Sequence, residues 1–241
     1  MTIQTIVDQS NKHDIFGKKF CFLWFMSILF ITLNLVGGAV VYKVIKIGAW
    51  LGPGGLIILP ITLLIEDIIA ELYGYKISRL LLWYTFISYI IFSITIILII
   101  RIPSPAYWHN ENAYLTVFGS LLRAAPVTIL AIFIGRFVNV ILLTKFKALI
   151  NGRLFWLRCI IATSVGGVIT ISIFFSIAFW GVIPTKGIEE MFISDYLVRV
   201  IYAIIGSFPA NILVIMLKKK LEIDVYDFHT NFNPFKLSLN D

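Results

Sequence analysis

Long unbroken apolar blocks alternate with short polar stretches along the whole chain. A membrane-spanning helix needs about 20 apolar residues, and six blocks qualify. They run over about Phe20 to Tyr42, Ala49 to Tyr73, Leu80 to Ile100, Leu115 to Thr144, Leu154 to Ile183 and Leu197 to Leu217. The second block carries Gly52-Pro53-Gly54-Gly55 near its start and Pro60 inside it, which suggests either a broken, re-entrant entry to the span or a plain outer loop. A membrane β-barrel would show segments of alternating polarity instead. The pattern therefore predicts an all-α polytopic membrane protein with six transmembrane helices. It divides into an N-terminal arm (1–19), a membrane domain (20–217) and a C-terminal tail (218–241).

Loop charge orients this frame. Cytoplasmic loops are enriched in Lys and Arg. Thirteen of the basic residues fall on the side that holds both termini, four on the other, and three (Arg123, Arg136 and Arg199) near or inside spans. Both termini are expected in the cytoplasm. The apolar run after Lys19 is too long for a signal peptide.

Composition excludes much else. Hydrophobic residues make up 59% of the 241 residues and charged residues 14%, with a mean hydropathy of +0.94. So few charges cannot cover a soluble surface. Two cysteines make no disulfide scaffold. The net charge of +7 marks topology and attraction to anionic lipid; nucleic acid is not an expected partner.

Charges inside spans are costly and so mark candidate sites. Asp67 and Glu71 lie four apart on one face of the second span. Asp67 and Arg136 each lie nine residues from a cytoplasmic lysine, hence about 13 Å deep, and are expected to pair. Glu66 points about 100° away from Asp67 and is expected to snorkel or cap. Asn139 shares the Arg136 face, and Asn34 lies mid-span in the first helix. Gly166-Gly167 permits close helix approach. Arg123 lies toward the outer end of its span, within reach of the headgroups.

Catalytic sets are missing. The three histidines, His13, His109 and His229, lie outside the spans. There is no H-E-x-x-H, G-x-S-x-G or Walker A sequence. No enzyme activity, metal or cofactor is expected. A small-molecule solute and membrane lipid are the expected partners, and nothing sets an oligomeric state.

The second span reads Leu59-Pro60-Ile61-Thr62, then Asp67-Ile68-Ile69-Ala70-Glu71-Leu72-Tyr73-Gly74-Tyr75. This resembles the P-x-T…D-x-x-x-E-x-Y-G-Y signature of the bacterial queuosine precursor transporters, or vitamin uptake transporter family. Arg123 with Ala131, Gly135 and Asn139 resembles the family's fourth segment, and Trp156-Leu157-Arg158 its fifth. The tail, Asp224-Val225-Tyr226-Asp227 with Asn231-Phe232-Asn233-Pro234-Phe235, is similar as well. The resemblance implies a six-helix carrier in the bacterial inner membrane that imports 7-deazaguanine precursors of queuosine. Arg136 stands where members usually carry Gln, Thr170-Ile171 where an Asp-Thr pair is usual, and Gly167 where Glu is common. A more anionic solute would fit those departures.

The site so implied comprises Asp67, Glu71, Arg136, Asn139, Asn34, Thr170, Phe174 and Tyr73, with structural roles for Pro60, Gly74, Gly135, Arg123 and Arg158. A carboxylate can accept both the N–H and the amino group of a deazaguanine edge. Phe174, Phe175, Phe179 and Tyr73 offer aromatic faces for a flat ring. The rival roles are a substrate-capture subunit of a separately energised uptake complex and a membrane scaffold that moves no solute.

Overall fold

The computed structural model describes residues 3–41, 43–48, 50–178 and 184–238, with side chains placed except at 3–16, 47, 50–53, 56, 120–125, 128 and 178. The chain forms helices α1 (Ile3–Val40), α2 (Leu59–Ile99), α3 (Glu111–Leu149), α4 (Phe155–Ala178) and α5 (Thr185–Leu221). Among the described residues these five, rather than the expected six, are long and apolar enough to cross a membrane. The difference lies in α2, which holds the second and third apolar blocks in 41 residues. At 1.5 Å per residue it measures about 60 Å, twice the bilayer core.

Gly74 explains how that length is accommodated. Its φ of 78° and ψ of −178° are not helical and are open essentially to glycine alone. The chain doubles back there. Leu59 reaches Gly37 on α1, and Tyr89, on the other arm of α2, reaches Gly38. At the opposite end, the Tyr73 hydroxyl donates to the Lys19 carbonyl of α1, at 2.8 Å. The two arms therefore run antiparallel between the same two levels of α1.

A break leaves helical backbone groups without partners, which is costly away from water. The C-terminal tail supplies them. Asp227 Oδ2 accepts from the Tyr75 N–H at 2.9 Å, and the Val225 N–H donates to the Leu72 carbonyl at 3.2 Å. Further along, Arg79 donates to the carbonyls of Asn233 and Ser238, Trp83 to that of Pro234 and Tyr75 to that of Phe232. The tail is thus docked on α2.

The Gly-Pro-Gly-Gly stretch makes a broken entry to the second span, running from a strand through a single 3-10 turn (Gly54–Leu56) before α2 begins. Strands β1 (Val44–Ile47) and β2 (Trp50–Pro53) pair antiparallel, with Val44 opposite Pro53. The all-α expectation therefore gains a two-stranded ribbon. Gly54 follows it, pressed so close to the Val40 carbonyl that a side chain would collide. The expected N-terminal arm continues α1 from Ile3.

The main core joins α1 to α5 and the tail around Phe30, Ile69, Leu72, Tyr75, Val140, Leu143 and Cys159. Outward faces carry exposed Phe25, Ile91, Leu98, Ile205 and Ile212, the arrangement expected of helices that face lipid. Between α3 and α4 two glycines meet: a Cβ on Gly135 would lie 2.7 Å from the Gly166 carbonyl, and the converse holds equally. That contact sets the distance between the two helices that carry Arg136, Asn139 and Cys159.

Candidate functional site

Four helices converge on a buried polar layer. Arg136, on α3, directs its guanidinium between α1 and α2. Nη1 donates to Glu66 Oε2, and Nη2 donates to Thr62 Oγ1 and, at 2.9 Å, to Asn34 Oδ1. The guanidinium also lies over the Phe30 ring, 5.0 Å from its centre. The carboxylate partner is thus Glu66 and not Asp67. Glu66 neither snorkels nor caps; it is fully buried. Depth alone made Asp67 the expected partner. Adjacent residues on a helix differ by about 100° in direction, and that difference gives Arg136 to Glu66.

Asp67 receives neutral donors instead. Asn139, one turn along α3 from Arg136, donates Nδ2 to Asp67 Oδ1 at 2.8 Å. The Cys159 thiol on α4 donates to Oδ2 at 2.9 Å. Among the described residues, Glu66 Oε1, Asn139 Oδ1 and Thr163 Oγ1 lack a well-aligned hydrogen bond, although the Asn139 amide stands near Glu66 and the Thr163 hydroxyl near Asp67. Buried polar atoms are rarely left so.

A narrow cleft with a cavity volume of about 20 Å³, room for about one water, opens beside the layer, lined among others by Leu63, Arg136, Asn139, Thr163, Thr170 and Arg199. A second, of about 30 Å³, lies on the other face of Arg136 against Asn34, Thr85 and Tyr89. Arg136 is the wall between them. Arg199 pairs with Asp195 one turn away on α5, at 3.2 Å. Thr170 lines the first cleft, although its hydroxyl donates to the Gly166 carbonyl of its own helix.

Glu71 belongs to a separate layer nearer the tail. Arg158 forks onto both its oxygens, and Lys218 donates to Oε1 at 2.7 Å. Lys147 lies 3.9 Å from the same oxygen and donates to the Glu71 carbonyl at 2.6 Å. Asp224 joins from the tail, 2.6 Å from Lys147 and 2.9 Å from Lys218. Burial opposes ionisation of Asp224, but the two ammonium groups outweigh it and hold the carboxyl below its ordinary range.

Of the expected residues, the structure gathers Asp67, Arg136, Asn139, Asn34 and Thr170 around the first layer. Glu71 and Arg158 form the second. Tyr73 is bonded to α1 and lines neither cleft. Phe174 sits in an apolar cluster with Val41, Ala131, Ile171, Phe175 and Met191. Pro60 is buried in the first turn of α2. The Arg123 side chain and Phe179 lie outside the described residues. Cys159, Asp195, Lys147 and Lys218 escaped the sequence reasoning. Only Asp195, four residues before Arg199 in an apolar block, left a signal there.

Residues 53–214 match the family described as "Putative vitamin uptake transporter". A "Probable queuosine precursor transporter" of Bacillus subtilis (strain 168) is 24% identical over 192 residues, covering 79% of this chain and 82% of that protein. No solved structure matches the chain. The family match covers well over half of the chain, and the chain belongs to the vitamin uptake transporter family, whose members are membrane transporters and not enzymes.

Proposed function

We propose that this transporter imports a 7-deazaguanine precursor of queuosine, or a similar small planar heterocycle, across the bacterial inner membrane, with both termini in the cytoplasm. One observation carries the choice of solute class: unpartnered acceptors stand in the buried layer beside the cleft. Asn139, which lines the cleft, has an acceptor Oδ1 with no donor on it among the described residues, and Glu66 Oε1 has only the Asn139 amide near it. A deazaguanine edge offers an N–H and an amino group to such acceptors, and a carboxylate bond of this kind is charge-assisted. The Thr163 hydroxyl, which also lines the cleft, suits the ring carbonyl. The name carried by the Bacillus relative points the same way. Asp67 and Asn139 position one another in this scheme, and Arg136 divides the solute's path.

Binding tests the solute class. Purified protein should melt at higher temperature with a 7-deazaguanine than with adenine, whose edge has an acceptor in place of the N–H. Ligand at 100 times its Kd contributes about 2.7 kcal/mol of stability. Equal response to both bases, or to neither, would remove the solute assignment.

A further inference from the structure

We propose that transport is driven by protons and that the Glu66–Asp67 pair carries the coupling proton. The proposal rests on the chain's being a transporter, not on which solute it moves. Its ground is a count of charges in a dry place. Glu66 and Asp67 are both fully buried, and the cation within their layer is Arg136, committed to Glu66. Asp67 has neutral groups on its oxygens, Asn139 and Cys159, with the Thr163 hydroxyl beside them. Among the described residues no cation lies within ion-pair distance of it. A lone carboxylate so placed in a bilayer is expensive. One proton shared by the pair makes the layer neutral. Coupled carboxyls hold such a proton jointly. Asn139 Oδ1 has two lone pairs, so it can accept this O–H as well as a donor from the solute.

The charged and titratable groups around Asp67 come from every neighbouring helix. They are Glu66 and Glu71 on α2, Arg136 and Lys147 on α3, Cys159 and Arg158 on α4, and Arg199 and Lys218 on α5. From α1 the described contact is the neutral Asn34. The second layer sets three cations, Arg158, Lys147 and Lys218, against Glu71 and Asp224, so it carries one excess positive charge on the tail side. The cycle balances simply. With the cleft open outward, a proton from outside forms an O–H bond on the pair as solute enters. With the cleft open inward, that bond breaks, the proton passes to cytoplasmic water, and the cationic layer beneath favours the carboxylate left behind. The proton gradient is the energy source.

Two measurements test the proposal. In proteoliposomes, an inward gradient of one pH unit should drive about tenfold accumulation of labelled 7-deazaguanine at zero membrane potential, the ceiling for one proton per solute. Asp67→Asn should abolish that accumulation and Asp67→Glu should restore part of it. Exchange of label without accumulation by the wild type would overturn proton coupling yet leave the solute assignment. Absence of any exchange would overturn the solute assignment, and the second measurement then decides coupling alone. This is the infrared difference spectrum between acid and alkaline pH, in lipid, with no solute. A band from a protonated buried carboxyl should be present in the wild type. It should vanish in Asp67→Asn, which leaves Glu66 as the one carboxylate on the guanidinium, and shift or shrink in Glu66→Gln, which releases the guanidinium toward Asp67. It should persist in Arg136→Gln. A wild type without the band, or a band untouched by both carboxyl variants, would overturn the proposal.

Discussion

Arg158 on α4 forks onto Glu71 on α2, with Nη1 2.8 Å from Oε2 and Nη2 3.1 Å from Oε1. Both residues are buried, Glu71 1% and Arg158 2% exposed. Lys218 from α5 and Lys147 from α3 close on the same carboxylate. One side chain thus ties four helices together on the tail side of the cleft. Removing one partner of a buried ion pair costs about 3–5 kcal/mol because the other charge is stranded. Glu71→Gln strands Arg158 and leaves Asp224 alone to face both Lys147 and Lys218, so it should lie at the upper end of that range. Arg158→Met leaves two ammonium groups on the carboxylate and should cost less. Thermal unfolding of the two variants in one detergent checks the order.

The helix contact beneath Arg136 makes a second prediction. A Cβ on Gly135 or Gly166 meets backbone at 2.7 Å, and backbone cannot step aside as a flexible side chain can. Overpacking of this kind costs about 1–3 kcal/mol. Gly135→Ala and Gly166→Ala should each lower the melting temperature and reduce uptake by displacing Asn139 from Asp67. Gly167→Ala is the control: its Cβ would meet Arg199 Cδ at an ordinary 3.7 Å, so both properties should stay near wild type.

Arg136→Lys keeps the charge and loses the fork. A guanidinium reaches Glu66, Thr62 and Asn34 together; an ammonium on a flexible stem does not reproduce that planar set. Uptake should fall about tenfold or more, corresponding to the loss of a charge-assisted bond of about 1.5–3 kcal/mol. Wild-type uptake by Arg136→Lys would show that only the charge matters.

The tail's attachment should depend on pH through Asp224. Its carboxyl is held below the ordinary value of 3.8 by Lys147 and Lys218, despite the opposing effect of burial. A depressed folded value means that the stabilisation is complete above 3.8 and is lost as pH falls through the lower value. Limited proteolysis after Leu221 should therefore be unchanged from neutral pH down to about 4 and accelerate below it. Asp224→Asn should be cleaved faster at neutral pH and lose that acid step.

Much of this was legible in the chain because membrane helices carry strong signals. Apolar blocks located each span, and the costliness of buried charge singled out Asp67, Arg136 and Glu71. Direction around a helix was not legible. Depth put Arg136 level with Asp67, but only packing decides which of two adjacent carboxylates a guanidinium meets. Glu71 read as a solute ligand because its three cations come from α3, α4 and α5, far apart in sequence. Gly74 was visible as part of a motif, but its role as a reversal point depends on Asp227 and Val225 of the tail, about 150 residues later. Lys147 and Lys218 counted as topology markers because loop charge and buried charge look alike in a sequence.

Import of a queuosine precursor is tested most directly in a host unable to make queuosine. The host expresses this chain, is supplied with a 7-deazaguanine precursor, and its tRNA is analysed for queuosine. Restoration by the wild type, with loss in Asp67→Asn at equal membrane expression, is the predicted result. Unmodified tRNA despite well-expressed wild-type protein would contradict the claim.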